Sequence, residues 1–293
     1  MGMVTDIQRF SLKDGPGIRS TVFFKGCNAA CRWCHNPETL SPRRELLIYP
    51  DRCAGCGACV GFDPAKAAGG LPPPRETLSL ESAELCFSGA LQTAGLEMDV
   101  SQVMEQLEQD SDYYRNSGGG ITLSGGEVMA QAPFAAAILR SCREKQIAAA
   151  IETNLAYDYS LLEALLPDLD LVMADIKLLD NERHLFFTGI GNENILENVK
   201  KLARAGVPYI LRTPVIPGVN DRTEEIGAIA AFIARDREFL QYYELLNYNP
   251  LGASKYEGLG TSYTYRETRP LDGEKMEKLV RAARAAGIPV RAG

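Results

Sequence analysis

The sequence predicts an α/β fold, namely a partial (β/α)6 barrel that carries a small inserted domain. From residue 119 onward, short apolar runs alternate with amphipathic stretches, which is typical of parallel strands joined by helices. Counting the strand before this region, the alternation gives six strand–helix units, fewer than the eight of a closed barrel. A third observation predicts the insert: 95 residues separate Phe24 from Gly120, and this stretch contains all the cysteines but one.

The individual elements follow from hydrophobic periodicity. The predicted strands are 20–24, 120–123, 147–151, 171–174, 208–211 and 243–246, with a short closing strand at 288–291. The predicted helices are 100–114, 130–145, 160–166, 193–205, 223–235 and 273–286. We divide the chain into the start of the barrel (1–36), the insert (37–98) and the remainder of the barrel (99–293).

The composition excludes several classes of protein. The 293 residues are 45% hydrophobic and 24% charged, as in an ordinary globular protein. The net charge of −7 gives no reason to expect a nucleic-acid partner. We expect no membrane association, because no apolar run approaches roughly 18 residues. The first twelve residues lack the apolar segment of a signal peptide, which predicts a cytoplasmic location. In that reducing compartment, eight cysteines indicate metal or redox chemistry rather than disulfides.

The first cysteine cluster directly follows the first predicted strand. Cys27, Cys31 and Cys34 have the spacing C-x3-C-x2-C, with Trp33 between the last two. Three thiolates on one loop can bind three irons of a 4Fe-4S cluster and leave the fourth iron open to a ligand. A zinc site or a thioredoxin-like pair is the alternative for Cys31 and Cys34 alone. The complete triplet favours iron–sulfur.

This triplet resembles the signature of radical S-adenosylmethionine (SAM) enzymes. The runs 14–19 (DGPGIR), 23–27 (FFKGC) and 34–38 (CHNPE) resemble the glycyl radical enzyme activating enzymes, of which the pyruvate formate-lyase activase is the best known. The resemblance extends over nearly the whole chain. It implies that SAM binds the open iron and that Trp33 packs near the adenine. His35 is adjacent to Cys34, and this position predicts that it tunes the cluster.

The resemblance also implies a reaction. An electron donor of the flavodoxin or ferredoxin type reduces the cluster, and the electron splits SAM into methionine and a 5′-deoxyadenosyl radical. That radical removes a Cα hydrogen from one glycine of a partner glycyl radical enzyme and leaves a stable glycyl radical there. Asp14 and Gly15 lie on the loop before the first predicted strand, where this family receives the glycine loop of its partner.

Polar residues follow every predicted strand. In parallel barrels the active site lies at the carboxyl ends of the strands. Beyond the cysteine loop, the residues at these ends are Ser124, Gly125, Gly126 and Glu127, then Glu152 and Thr153, then Asp175 and Lys177, then Arg212, and finally Asn249. Taken alone, the glycine pair indicates only a strand-to-helix turn. A barrel without an active site would give no reason to expect polar residues at the carboxyl ends of all six strands.

By resemblance, these strand-end residues bind the cofactor. Segment 124–127 is similar to the motif that binds the SAM amino group, although Val128 replaces the usual proline. Lys177 would contact the SAM carboxylate. Arg212 would contribute from the fifth strand. Asn249 stands where the family commonly has histidine, near the ribose or adenine. The resemblance further implies a monovalent cation beside SAM, held by Glu152, Thr153, Asp175 and the carbonyl of Met173, although the pyruvate formate-lyase activase has aspartate in place of Glu152.

The insert contains a second cysteine group. Cys53, Cys56 and Cys59 resemble the start of a bacterial ferredoxin run whose fourth cysteine is replaced by Asp63, and Cys86 resembles the end of a second run. In two-cluster ferredoxins the fourth cysteine of each run binds the other cluster. The four cysteines are therefore the complete ligand set of one auxiliary 4Fe-4S cluster in a ferredoxin-like insert. A zinc site with the same thiolates, or Asp63 as fourth ligand, is the alternative.

Two other classes of function remain open. A radical SAM enzyme that acts on a small molecule or peptide would turn over without a glycyl radical enzyme. An electron-transfer or zinc-binding module would lack the strand-end residues Glu127, Asp175 and Lys177. Of the remaining candidates, His184 is predicted to be structural, and Cys142 to be an inert buried thiol.

Overall fold

The computed structural model describes residues 1–61, 70 and 72–293. Asp63 lies outside the described residues. The strands are β1 Gly2–Ser11, β2 Arg19–Phe24, β3 Glu45–Ile48, β4 Leu91–Ala94, β5 Leu96–Met98, β6 Gly120–Gly125, β7 Ala149–Thr153, β8 Leu171–Asp175, β9 Tyr209–Val215, β10 Leu240–Asn247 and β11 Val290–Ala292. The α-helices are α1 Leu80–Glu84, α2 Val100–Glu108, α3 Ser111–Ser117, α4 Ala132–Glu144, α5 Tyr159–Glu163, α6 Asn181–Thr188, α7 Glu193–Leu202, α8 Thr223–Ile233, α9 Ala253–Leu259 and α10 Gly273–Arg284.

A nine-stranded, mostly parallel sheet forms the centre of the protein. Its strand order is β11-β10-β9-β8-β7-β6-β2-β1-β5. The six predicted strands of the parallel sheet are all present as β2 and β6 to β10, and each pairs in parallel with its neighbour. The predicted closing strand is present as β11, parallel to β10. The α/β prediction is therefore confirmed, with strand ends that differ from the predicted ones by a few residues.

The antiparallel edge of this sheet was not predicted from the sequence. The long strand β1 pairs antiparallel with β2, and the short β5 pairs antiparallel with β1. β1 escaped prediction because only its first residues show buried alternation, while Ile7, Gln8, Arg9 and Phe10 are partly or fully exposed. As a result, the loop that carries Asp14 and Gly15 connects two strands rather than leading into the first one.

The helices agree with the prediction, except that one predicted helix is divided in two and three short helices were not predicted. Predicted helix 100–114 is two helices, α2 and α3, separated at Asp110. The Asp110 side chain is buried and accepts hydrogen bonds from Arg9 and from the Ser20 hydroxyl (2.8 Å). The break lets this carboxylate turn toward the first two strands. The helices α1, α6 and α9 were not predicted. Among the described residues, no helix is long and apolar enough to cross a membrane.

The two faces of the sheet have different chemistry. The outer face packs against the helices in a large apolar core that includes Ile121, Ile151 and Val172. On the inner face there is a small apolar cluster centred on Met173 and Ile210. Polar side chains occur on the same face two residues later in the same strands. Because side chains alternate between faces, the inner face continues from these residues to the following polar side chains: Glu152, Asp175, Arg212 and Glu244.

The described part of residues 37–98, the predicted insert, packs against the C-terminal part of the chain. Its antiparallel pair β3–β4 precedes and follows the second cysteine group in sequence. Arg75 donates to the carbonyl oxygen of Leu46 (2.8 Å) and to that of Gly258 in α9. A Cβ at Gly258 would lie 2.9 Å from the Tyr49 ring. These contacts join the insert to the segment that follows β10.

Candidate active site

A cavity of about 630 Å³ opens at the carboxyl ends of the parallel strands. This volume is typical of sites for small molecules and cofactors. Thirteen of the residues singled out from the sequence line it: Cys27, Cys31, Trp33, Cys34, His35, Ser124, Gly125, Gly126, Glu152, Thr153, Asp175, Lys177 and Asn249. The fold therefore brings together residues that are up to 222 positions apart, from Cys27 to Asn249.

The cysteine loop is held in place by backbone hydrogen bonds. The amide of Cys27 donates to the carbonyl of Leu40 (3.1 Å). The amides of Ala30 and Arg32 donate to the carbonyls of Thr188 (2.7 Å) and Phe187 (3.0 Å) at the end of α6. Carbonyls in the last turn of a helix lack partners within the helix, so they are free to accept these bonds. The unpredicted helix α6 thus supports the cluster loop.

The Gly125–Gly126 pair has a structural requirement. Gly125 has φ +108°, and a Cβ there would lie 2.3 Å from the backbone nitrogen of Phe24. A Cβ at Gly126 would lie 2.4 Å from the carbonyl oxygen of Gly26. The amides of Gly126 and Glu127 donate to the carbonyls of Phe24 and Gly26, both at 2.9 Å. Only glycine allows this segment to contact the start of the cysteine loop.

The Glu127 carboxylate does not line the cavity. It is buried and accepts hydrogen bonds from the Thr153 hydroxyl (2.7 Å), the Asn154 amide (2.7 Å) and the Met129 amide (3.1 Å). Burial raises the pKa of Glu127, and these hydrogen bonds oppose the shift. Glu127 therefore connects the ends of β6 and β7, a role that differs from the predicted contact with SAM.

Asn154 and Glu244 were not among the predicted site residues, although both line the cavity. The Asn154 side chain donates to the Asn28 side chain (2.9 Å) and lies 3.9 Å from the Cys27 sulfur. Its position just after β7 was the signal available in the sequence. Glu244 could have been found from its inward register, two residues after Tyr242 in β10.

A group of buried charges lies on the inner face beside the cavity. Arg212 pairs with Glu152 and with Glu244 (2.8 Å), and the Ser124 hydroxyl donates to Glu152 (2.5 Å). Burial alone would lower the pKa of Arg212, but Glu152 and Glu244 raise it overall. Arg212 is held by its partners and does not line the cavity described above. It lies beneath the site, whereas the sequence predicted a direct cofactor contact.

Lys177 reaches the cavity in an ion pair. Its amino group lies 2.6 Å from Asp175 Oδ2. Burial would lower the pKa of Lys177, but the charge of Asp175 and the nearby thiols raise it overall. Lys177 is therefore a fixed positive charge at the cavity wall.

The four residues expected to hold a monovalent cation already have partners. Glu152 and Asp175 are paired as described. The Thr153 hydroxyl donates to Glu127 and accepts from the Leu155 amide (3.1 Å). The expected carbonyl of Met173 lies within β8, which pairs at this residue with β7 on one side and β9 on the other. This set does not fit an added cation.

The aromatic wall of the cavity is centred on Trp33. This side chain is buried beside Ile216 and Tyr248, with ring centroids 5.9 Å from Phe187 and 6.2 Å from Tyr265. A rigid aromatic wall suits the flat face of an adenine.

The other predicted polar residues differ in their position relative to the cavity. His35 lines it, and burial lowers the pKa of its imidazole. Asn249 also lines it, and its side-chain oxygen accepts from the Leu251 amide (3.2 Å). His184 is buried away from it, with Nδ1 2.8 Å from the carbonyl of Ile190. These contacts agree with the predicted structural role of His184.

The three cysteines of the first cluster are half-buried at the cavity wall, with Lys177 as the nearby positive charge. Burial raises the pKa of Cys27 to about 11 and that of Cys34 to about 12, and it also raises the pKa of Cys31. Such thiols need a bound cation to become thiolates. Among the described residues, no three Cys, His, Asp or Glu side chains are grouped to hold a single ion. A 4Fe-4S cluster distributes its thiolates over separate irons, and three thiols around a cavity with room for a further ligand fit it.

The four thiols of residues 37–98, all in the described part of the chain, are near enough for the others to affect Cys59, but they are not grouped to hold a single ion. Burial raises the pKa of Cys59, and the nearby thiols of Cys53, Cys86 and Cys56 add to the effect. Cys86 is the distant member in sequence, and its sulfur accepts a hydrogen bond from the Leu91 amide (3.3 Å). Burial opposes ionisation of Cys86, but hydrogen bonds lower its pKa overall.

Asp14 and Gly15 lie apart from the main cavity. The Asp14 carboxylate accepts from the Thr21 hydroxyl (2.6 Å). Gly15, with φ +120°, lines a second cavity of about 450 Å³ that Arg212 and Glu244 also line. Glu244 lines both cavities, so the buried charges lie between them.

Comparison with known proteins identifies the family. Residues 21–232 match the family model described as the Radical SAM superfamily. The chain belongs to the radical SAM superfamily. The matched range includes the three cysteines of the first cluster and every predicted strand end except the last, that of Asn249.

Several activating enzymes match this radical SAM protein over nearly its whole length. It is 40% identical to the isethionate sulfite-lyase activating enzyme of Nitratidesulfovibrio vulgaris, covering 95% of this chain and 94% of the relative. It is 36% identical to the benzylsuccinate synthase activating enzyme of Thauera aromatica, covering 99% and 92%. It is also 36% identical to the trans-4-hydroxy-L-proline dehydratase activating enzyme of Clostridioides difficile, covering 99% of each. The chain is a radical SAM enzyme of this activating group.

Solved structures support the same fold. A domain of a pyruvate-formate lyase-activating enzyme from Bacteroides vulgatus is 26% identical, with a TM-score of 0.51, and the match covers 60% of this chain and 99% of that one. A radical SAM methyltransferase from Sphaerobacter thermophilus is 12% identical, with a TM-score of 0.58, covering 99% and 76%. The second likeness concerns the fold alone.

Proposed function

We propose that this enzyme cleaves SAM reductively and removes a Cα hydrogen from one glycine of a partner glycyl radical enzyme. The product is a stable glycyl radical in the partner. The observation that carries the proposal is the arrangement of Cys27, Cys31 and Cys34 around one cavity that strand-end polar residues also line. The full-length likeness to activating enzymes supports it.

In this proposal, Cys27, Cys31 and Cys34 hold a 4Fe-4S cluster. When bound, the cluster and SAM supply the electron transfer and the hydrogen abstraction. Lys177 attracts the SAM carboxylate through its fixed positive charge. Ser124, Gly125 and Gly126 lie at the cavity edge near the cysteine loop, where they can contact the SAM amino group.

The remaining contacts orient SAM and exclude water. The wall formed by Trp33 and its aromatic neighbours shields the adenine, and His35 lies next to the cluster. Asn249 offers a neutral donor and acceptor to the ribose or adenine. The expected monovalent cation has no place in this proposal, since Glu152, Thr153 and Asp175 already have partners.

The proposal includes two protein partners. The loop that carries Asp14 and Gly15 contacts the glycine loop of the glycyl radical enzyme, and the glycine itself must enter the main cavity, where SAM binds. An electron donor of the flavodoxin or ferredoxin type reduces the cluster. A cytoplasmic location, whose reducing conditions protect the eight cysteines from disulfide formation, belongs to the same proposal.

We further propose that the parallel strands form a partial (β/α)6 barrel and that residues 37–98 are a ferredoxin-like insert with one auxiliary 4Fe-4S cluster. An open strand order supports the first part. The shared neighbourhood of Cys53, Cys56, Cys59 and Cys86 supports the second. Residues 1–36 and 99–293 then form the two parts of the barrel.

The test is SAM cleavage by the anaerobically reconstituted enzyme with a chemical reductant. Cys31→Ala should abolish formation of 5′-deoxyadenosine, because the cluster loses a ligand. Cys142→Ala is the matched control, since this thiol is buried in α4 away from the cavity and should be dispensable. Normal 5′-deoxyadenosine formation by Cys31→Ala would contradict the ligand assignment.

The partner is tested by electron paramagnetic resonance. The enzyme is mixed with candidate glycyl radical enzymes under reducing, anaerobic conditions, and a glycyl radical signal is expected with its cognate partner only. If SAM is consumed with a small molecule or peptide instead, and without any glycyl radical enzyme, the chain acts on that substrate and the proposed activation is wrong.

A further inference from the structure

We infer that Arg212 supplies the positive charge that the family resemblance assigns to a monovalent cation, so that this enzyme binds SAM without Na⁺ or K⁺. The inference rests on the proposed function, because it concerns the SAM site. The side chains expected to bind the cation have other partners in the structure.

Both oxygens of the Glu152 carboxylate are engaged. One pairs with the Arg212 guanidinium, and the other accepts the Ser124 hydroxyl at 2.5 Å. Oδ2 of Asp175 pairs with Lys177 at 2.6 Å. A cation bound to Glu152 would have to displace the Arg212 guanidinium or the Ser124 hydroxyl. Each of these carboxylates, and Glu244 beside them, already has a positively charged partner within the protein.

Arg212 is fixed in this position from three sides. Besides Glu152, its guanidinium donates to Glu244 (2.8 Å) and to the carbonyl of Lys13 (3.2 Å). The residue is only 6% exposed, so its charge depends on these partners. Removing a buried partner leaves an uncompensated charge, which is strongly unfavourable. The guanidinium is therefore a permanent part of the site and not a group that a dissolved ion exchanges.

The length of the Glu152 side chain allows its carboxylate to reach Arg212. Aspartate is one methylene shorter, so a carboxylate there would lie farther from Arg212 and closer to its own strand. Replacing Glu152 with aspartate should separate it from the guanidinium and leave a carboxylate that needs another cation. The inferred role of Arg212 therefore predicts a variant that gains a dependence on monovalent cations.

The experiment measures the SAM dissociation constant of the reconstituted holoenzyme by equilibrium dialysis. Buffers contain K⁺, Na⁺ or tetramethylammonium at equal ionic strength, because salt itself screens charges. The wild-type constant should be the same in all three. Glu152→Asp should bind SAM more weakly in tetramethylammonium than in K⁺. Arg212→Ala should bind SAM about tenfold more weakly, because it leaves uncompensated carboxylates beside the site, with recovery on addition of guanidinium or K⁺.

Glu225→Asp is the matched control. Glu225 also forms a partly buried pair with an arginine, Arg183 (2.8 Å), but it does not line the cavity. The affinity of the Glu225→Asp variant for SAM should stay at the wild-type value in every buffer. This control separates a specific effect at Glu152 from the general cost of shortening a buried glutamate.

The outcomes distinguish this inference from the proposed function. Failure of the wild-type holoenzyme to bind SAM would overturn the proposed function. SAM binding that requires K⁺ or Na⁺ in the wild-type enzyme would overturn only the role of Arg212. The same conclusion follows if Glu152→Asp gains no cation dependence, a result that stays informative even when Arg212→Ala does not fold.

Discussion

Replacing Glu127 with alanine should destabilise the fold rather than remove a cofactor contact. The buried carboxylate accepts hydrogen bonds from Thr153, Asn154 and Met129. Alanine leaves these three donors without their acceptor in a buried place. A hydrogen bond to a charged group contributes about 1.5–3 kcal/mol, but burial of the carboxylate offsets part of this gain. We therefore expect a loss of roughly 3 kcal/mol.

Thermal unfolding of the protein measures this loss. For a chain of 293 residues, a loss of about 3 kcal/mol should lower the melting temperature by roughly 5 °C. Glu127→Gln keeps one acceptor oxygen but directs an amide group at a backbone donor, so an intermediate decrease is expected. Glu105→Ala, on the exposed face of α2, is the control and should melt like the wild type.

The SAM dissociation constant of the same variants decides between two roles. If Glu127→Ala melts at the wild-type temperature and yet loses SAM binding, the carboxylate faces the cofactor and the structural explanation is wrong. If it melts at a lower temperature and the folded fraction binds SAM normally, the carboxylate acts by connecting the ends of β6 and β7.

Three further predictions follow from the same structure. Cys86→Ala should lose the insert cluster, so that iron falls from about eight to about four atoms per chain while SAM cleavage at the first cluster persists. A full iron content in this variant would exclude Cys86 as a ligand. Asn249→Ala should weaken SAM binding by about 1–2 kcal/mol, and an unchanged dissociation constant would show that the residue does not contact SAM. Burial lowers the pKa of His184 in the folded state, so the unfolded chain binds a proton first as the pH falls through about 6.5. Melting temperatures at about pH 7.5 and 5.5 should therefore differ less in His184→Gln than in the wild type, and equal differences would contradict this assignment.

The predicted elements that proved correct had strong local signals. Strands β6 to β10 are apolar runs because a parallel strand is buried on both faces, and such runs are visible without any knowledge of their neighbours. The spacing of Cys27, Cys31 and Cys34 on one short loop is also local information. The antiparallel β1 was missed because its exposed half carries no periodic pattern.

The sequence by itself determined which residue types stand at the strand ends, and hence the residues of the cavity. The partners of each side chain were decided only by the tertiary structure. The register of the sheet sets Arg212 opposite Asp175 on one side and Glu244 on the other, and Glu152 pairs with it from two strands away. Glu127 turns instead toward the end of β7. A carboxylate at a strand end can face a cofactor, an arginine or a backbone amide. The choice depends on donors contributed by other strands, because a buried charge lies where its hydrogen bonds are satisfied.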